Sequence, residues 1–234
     1  MEMKGSTVFL ITSVLLLVGG CGGGDEDSST SESNDSFSNN GIYFNSTDFA
    51  VLLVDSSRSE NNLIVGDFGS DSVYFTDSAT TTKNQMKAVG VTYADEVDFL
   101  KDSSQEITAD FNDTSVELKA TFNGRNLAYS MNKVSDSLPL AEIVGTHTDT
   151  DGTTWEIFAD GSFIVNGICT VTGNLVRKGA YFNVEKASAT SCALTQMNGA
   201  YSGVLLTVQH QGIDYLAGLL GSETALLWGS APKS

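Results

Sequence analysis

The clearest pattern in the chain is a two-residue alternation of apolar and polar side chains between Gln105 and Met131. Ile107, Ala109 and Phe111 alternate with Glu106, Thr108 and Asp110; Val116, Leu118, Ala120 and Phe122 alternate with Ser115, Glu117, Lys119 and Thr121. Successive side chains of a strand point to opposite faces, so each run reads as a strand with one buried and one wet face. Asn112-Asp113 separates these runs, and Asn123-Gly124 separates the second from Leu127, Tyr129 and Met131. Turn-forming pairs between alternating runs predict an antiparallel meander. The arrangement recurs where Asp151-Gly152 precedes Trp155, Ile157 and Ala159, Asp160-Gly161 precedes Phe163 and Val165, and Asn166-Gly167 precedes Cys169 and Val171. Further strands are expected over Leu63 to Phe68, Val73 to Thr76, Met86 to Tyr93, Tyr181 to Glu185, Tyr201 to Val208, Ile213 to Leu219 and Thr224 to Trp228. The best helical spacing is Val97 with Leu100, which predicts at most two turns over Ala94 to Lys101. The predicted class is all-β, built from antiparallel meanders.

Two segments begin alike. Gly41-Ile42-Tyr43 leads through a polar turn to Leu52, Val54 and Asp55, and Gly145-Thr146-His147 leads through a similar turn to Trp155, Ile157 and Asp160. This predicts two β units, 41–138 and 139–234, with a seam near Ser135 to Leu140. Pro139 in that seam cannot donate to a central ladder. Two packed barrel- or sandwich-like units and one larger fused barrel both fit the pattern.

The amino terminus has a different character. Lys4 precedes an apolar run from Val8 to Val18, which ends on small residues. The run is about eleven residues, against about 20 needed to cross a bilayer, so residues 1–20 read as a secretory signal peptide rather than a span. Val18-Gly19-Gly20-Cys21 resembles the lipobox of bacterial lipoproteins, with Val where Leu is usual and Gly at the second position. The resemblance implies cleavage before Cys21, acylation of that cysteine and attachment to a membrane through its acyl chains. Gly22 after the cysteine, rather than Asp, favours the outer membrane by the same resemblance, and the Cys-Gly-Gly-Gly start is similar to tethers of surface-exposed lipoproteins of Gram-negative bacteria. The tandem order of units with a two-cysteine second half also resembles some proteobacterial lipoproteins, a likeness that supplies no activity. Residues 22–40 are nearly all Gly, Ser, Asn, Asp and Glu, with Phe37 the one large apolar side chain. A disordered tether over 21–40 is expected, reaching roughly 25 Å.

Charge narrows the function. The 234 residues carry 29 acidic and 12 basic side chains, a formal charge of −17. Such a chain repels nucleic acid and favours basic partners or divalent cations. With Cys21 acylated, Cys169 and Cys192 are the remaining thiols, and an exported protein meets an oxidising compartment. A structural disulfide between them is expected; it closes a loop of about 24 residues and contributes roughly 3 kcal/mol in the chain-entropy model. No His neighbours either Cys, and they are not arranged as Cys-x-x-Cys, so neither a metal site nor a redox pair is expected.

Sequence patterns for catalysis are weak. His147, Asp149, Asp151, Gly152 and Glu156 echo a calcium loop, but His stands at the first ligand position and Phe158 at the twelfth, so a type I′ hairpin turn at Asp151-Gly152 is the simpler expectation. There is no Gly-x-Ser-x-Gly, no dinucleotide fingerprint, no phosphate loop and no His-Glu-x-x-His. His147 and His210 are the only imidazoles, and His210 is expected to be exposed at a hairpin tip. Trp155, Trp228, Tyr43, Tyr74, Tyr93, Tyr129, Tyr181 and Tyr215 suit a sugar or lipid site, with core packing as the default. The expectation is a non-catalytic, outer-membrane-anchored lipoprotein that binds or scaffolds, with no cofactor, no metal and an unknown protein or small-molecule partner. A lipocalin-like barrel carrying a small apolar ligand is the alternative, and an envelope hydrolase using paired carboxylates is the third reading.

Overall fold

The computed structural model describes residues 36–234. The signal-like segment, Cys21 and the tether up to residue 35 lie outside the described residues. The expected class holds: sixteen strands form two eight-stranded antiparallel sheets. The first is a closed barrel of β1 (Gly41–Asn45), β2 (Ala50–Val54), β3 (Leu63–Asp67), β4 (Ser72–Thr82), β5 (Gln85–Ala94), β6 (Phe99–Phe111), β7 (Ser115–Phe122) and β8 (Arg125–Lys133). Each strand pairs with the next, and β1 meets β8 at Tyr43–Lys133 and Phe44–Asn132. The second sheet runs in the same up-and-down order through β9 (Gly145–Thr148), β10 (Thr154–Ile157), β11 (Ser162–Asn166), β12 (Thr170–Lys178), β13 (Tyr181–Thr190), β14 (Gly199–His210), β15 (Ile213–Gly221) and β16 (Leu226–Pro232). It is rolled but not zipped shut, because its edge strands β9 and β16 are not hydrogen-bonded neighbours.

Turn chemistry explains the order. Asn123 and Gly124 both have positive φ and join Phe122 to Arg125, as a two-residue type I′ turn requires. Asp151-Gly152 is different: Asp149 N–H donates to Thr153 O, and only Gly152 is left-handed, giving a three-residue loop in place of the expected type I′ turn. The expected helix over Ala94 to Lys101 does not form. Asp95 Oδ1 accepts the N–H groups of Val97 and Asp98, which reverses the chain between β5 and β6. Val97 is 89% exposed, so its spacing from Leu100 marks no buried helix face.

Three cores hold the molecule. The barrel interior is filled by Tyr43, Met86, Tyr93, Phe111, Phe122 and smaller side chains. The interior of the second sheet contains Trp155, Phe163, Val184, Leu205 and Leu220. The third core lies between the sheets, where Ile42, Val51, Leu53 and Ile64 of the barrel meet Val204, Leu206, Ala217 and Leu219. This explains why Ala50–Val54 is apolar without alternation: both of its faces are buried. Gly66 of β3 makes room for Leu219, whose Cδ2 lies 2.6 Å from where a Cβ would stand.

A buried polar cluster crosses the same interface. Tyr181 Oη donates to Asp55 Oδ2 at 2.8 Å, and Arg58 donates to Tyr181 Oη at 2.8 Å and Asn183 Oδ1 at 2.6 Å. Burial pushes the Asp55 carboxyl up, but hydrogen bonds from Ser57 and Tyr181 and the Lys178 charge outweigh it and hold the group below its ordinary value. The connection between the sheets is pinned as well. Ser137 N–H donates to Ala180 O, Thr207 N–H to Ser137 Oγ, and Leu138 N–H to Thr207 Oγ1.

The end of the expected tether also differs from a free coil. Phe37 packs edge-on against Phe111, with ring centroids 5.3 Å apart, and Asn40 Oδ1 accepts from Ser56 N–H. Phe37, the one large apolar side chain of residues 22–40, thus packs against the barrel core.

Candidate ligand-binding site

Both interiors mix aromatic and small side chains: Tyr43, Tyr93, Phe111 and Phe122 with Ala88 and Ala109 in the first, Trp155, Phe163, Phe182 and Tyr201 with Ala187 and Ala189 in the second. In the second sheet, Val165 of β11, Val171 of β12 and Val184 of β13 line a cavity of about 990 Å³, which also takes in Tyr215 and Trp228 from the side facing the barrel. Volumes of this size accommodate small molecules. The inner wall includes Trp155, Phe163, Val171, Val184, Leu205 and Leu220.

Trp155 dominates that wall. Its ring reaches from β10 to the paired glycines Gly218 of β15 and Gly229 of β16. A Cβ on Gly218 would stand 2.9 Å from Trp155 Cη2, so the indole fits only because that wall carries no side chain there. Trp155 is 6% exposed, yet its Nε1–H has no hydrogen-bond partner. A buried donor left unpaired costs about 1–3 kcal/mol.

The mouth is apolar and acidic at once. Val97 and Phe99 from the β5–β6 reversal, Ile168 from the β11–β12 loop and Leu194 from the β13–β14 connection line it, and all four are exposed. The disulfide Cys169–Cys192 ties the last two loops together, and Ala193 N–H donates to Ile168 O at 2.8 Å beside it. Trp228 is held at the same mouth by a 2.8 Å hydrogen bond from its Nε1–H to Asp71 Oδ1.

The two histidines play structural parts. His147 is buried on β9; its Nε2 lies 2.9 Å from Ile143 O, and Ser234 N–H donates to Nδ1 at 3.0 Å. That pattern requires the neutral tautomer with the proton on Nε2. It joins β9 to the residues after β16 and so clasps the open seam. His210 is not an exposed tip residue: its ring stacks on Phe49 at 4.5 Å, with Phe44 and Tyr215 around it. Asp149, the first carboxylate of the calcium-like segment, uses Oδ1 to accept from the N–H groups of Asp151 and Thr153. Among the described residues no cluster of three or more His, Cys, Asp or Glu could hold a metal.

A second, polar cavity of about 680 Å³ opens at one end of the first barrel, lined by Asp48, Asp67, Asp95, Tyr74, Tyr93 and Tyr129 among others. Tyr129 Oη donates to Asp67 Oδ2 at 2.5 Å, and Tyr93 Oη donates to Asp95. Burial, reinforced by the Asp67 bond and charge, pushes the Tyr129 phenol well above its ordinary range. Asp67 and Asp95 also accept backbone N–H groups of their own turns, so these carboxylates hold hairpins together. Of the eight aromatic residues weighed from sequence, Trp155, Trp228 and Tyr215 line the apolar cavity, Tyr74, Tyr93 and Tyr129 the polar one, and Tyr43 and Tyr181 are buried in cores.

Comparison with protein families, with curated proteins and with solved structures finds no match for this chain.

Proposed function

We propose that the protein is a non-catalytic binding module of the bacterial envelope, anchored to the outer membrane through acylated Cys21, in which the second sheet carries a small, largely apolar molecule. The lipobox-like segment supports the anchor. The observation that carries the binding reading is the largely apolar cavity of about 990 Å³. The wall of such a cavity would bury the ligand's apolar surface. Within this reading the filled first barrel acts as a rigid stand, and its turns form one lip of the mouth.

The test is a fluorescence titration with N-phenyl-1-naphthylamine, which brightens in apolar surroundings, combined with native mass spectrometry of protein isolated from its own membranes. Saturable brightening is expected, weakened at least about tenfold by Val184→Phe, which adds a ring to the cavity wall. Absence of saturable binding in the unsubstituted protein would overturn the reading.

A further inference from the structure

We infer that the free edge of β16 is a docking site for an extended, basic segment of another protein, which joins the second sheet as a further strand. This surface is separate from the small-molecule binding proposed above, although both open on the same cavity.

Hydrogen-bond alternation defines the edge. Lys233 N–H donates to Asp214 O at 2.7 Å, and Ser222 N–H donates to Ala225 O at 2.9 Å. An antiparallel pair is bonded at every second position. With the observed register, Leu227, Gly229 and Ala231 therefore bond to β15, whereas Leu226, Trp228 and Ser230 turn their N–H and C=O groups away from it. Among the described residues no strand lies on that side. The next residue of the outward set, Pro232, has no N–H to offer, and beyond it the Ser234 N–H is taken by His147 Nδ1 of β9. The seam is thus clasped at its Ser234 end and carries an unpaired ladder from Leu226 to Ser230. Trp228, Gly229 and Ser230 are only half-buried, so packing does not seal this edge.

The cavity passes round the same edge. Its lining takes in Leu227 and Gly229, which face the sheet interior with Trp155, and also Leu226 and Trp228, which face the barrel with Phe68. Residues from both faces of one strand border a single space only where that space goes round the strand's side. A peptide laid there would send alternate side chains to the interior and to the barrel side, both apolar, while its backbone completes the ladder.

Charge selects the occupant. Asp71, Glu96, Asp98, Asp149 and Asp151 line the cavity, contributed by both sheets, and no Lys, Arg or His lines it. Residues 22–35 of this chain carry Asp25, Glu26, Asp27, Glu32 and Asp35 with no basic side chain, and a second copy brings the same formal charge of −17. Both are repelled, whereas a segment with Lys or Arg flanking apolar strand-formers is attracted.

The probe is a rhodamine-labelled peptide, Lys-Arg-Val-Leu-Val-Thr-Val-Arg-Lys, titrated with the whole chain and followed by fluorescence polarisation. Saturable binding is expected. The counterpart with Glu at its four basic positions should bind at least about tenfold more weakly at low salt. So should the basic peptide N-methylated at its five central residues, which keeps charge and side chains but cannot donate to the ladder. Ser230→Pro removes one outward N–H and leaves the bonds to β15 in place; it should weaken the peptide at least about tenfold with the urea midpoint unchanged. Amide exchange followed by NMR should slow at Trp228 and Ser230 by at least about tenfold when the peptide is added. No saturable binding, or equal affinity for the N-methylated peptide, would overturn strand addition. Slow exchange at Trp228 and Ser230 before any peptide is added would overturn the foreign occupant: independent of protein concentration, it would give the edge to this chain's own preceding residues, and increasing with concentration, to a second copy. Naphthylamine bound without the peptide would sink this inference alone, and peptide bound without naphthylamine would sink the small-molecule reading alone.

Discussion

Asp55 illustrates how one side chain joins the two sheets. It is 6% exposed and accepts hydrogen bonds from Ser57 within the barrel and Tyr181 across the interface, with Lys178 Nζ 3.5 Å away. Its folded-state pKa lies below its unfolded value. The stability it contributes is therefore complete above about pH 4 and is lost as pH falls through the lower, folded value. Asp55→Asn should cost about 1–3 kcal/mol at neutral pH, and the gap between variant and parent should close on acidification, as followed by urea denaturation at a series of pH values. A gap that stays constant into acid would show that the carboxylate charge is not what matters. At this scale the sequence was partly legible. Cys169 and Cys192 could be paired by elimination, whereas Trp155 was one of eight amphipathic rings that the sequence could not tell apart. The tether of Phe37 to Phe111 and the seat of Leu219 over Gly66 depend on contacts between residues far apart in the chain, which alternation along it does not encode.

Among elements, hairpins were the most legible because their signals are local. Asn123-Gly124 permits the left-handed pair a type I′ turn needs, and the turn then sets the register of β7 with β8. The misread helix was a matter of competing local signals. Val97 and Leu100 have helical spacing, but Asp95 N–H donates to Asp98 O and closes a tight reversal, after which β6 pairs with β5 from Phe99 onward. The disulfide acts at this scale too, as a brace between the β11–β12 loop and the β13–β14 connection. Its reduction should lower stability by roughly 3 kcal/mol, measured as a shift in the urea midpoint with and without reductant. Because Cys169 itself lines the cavity, reduction should also weaken naphthylamine binding. Unchanged binding in the reduced, still-folded protein would mean that the brace serves stability alone.

For the molecule as a whole, the all-β class was readable from period and turns, whereas the cavity was not. Its lining brings Val97 and Phe99 of the first sheet's β5–β6 region to Ile168 and Leu194 of the second, residues far apart in the chain whose meeting alternation does not encode. The anchoring proposal also belongs here. Cys21→Ser should move the protein from the membrane to the soluble fraction of exported material, and protease treatment of intact against permeabilised cells should then say which way the parent faces. Membrane attachment undiminished in Cys21→Ser would overturn acylation at that residue.

The two-sided burial of β1 to β3 bears on how such a protein can be divided. Were the chain severed between Val134 and Pro139, each half would present Ile42, Leu53 and Ile64, or Val204, Leu206 and Leu219, to water as an uncovered apolar plate. Such plates associate, with copies of themselves or with their counterpart. Only the counterpart offers the recess at Gly66 for Leu219 and the Arg58–Asp55–Tyr181 partners. Produced together, the halves therefore have the ingredients of a split protein, each insoluble alone and soluble once it has found its mate.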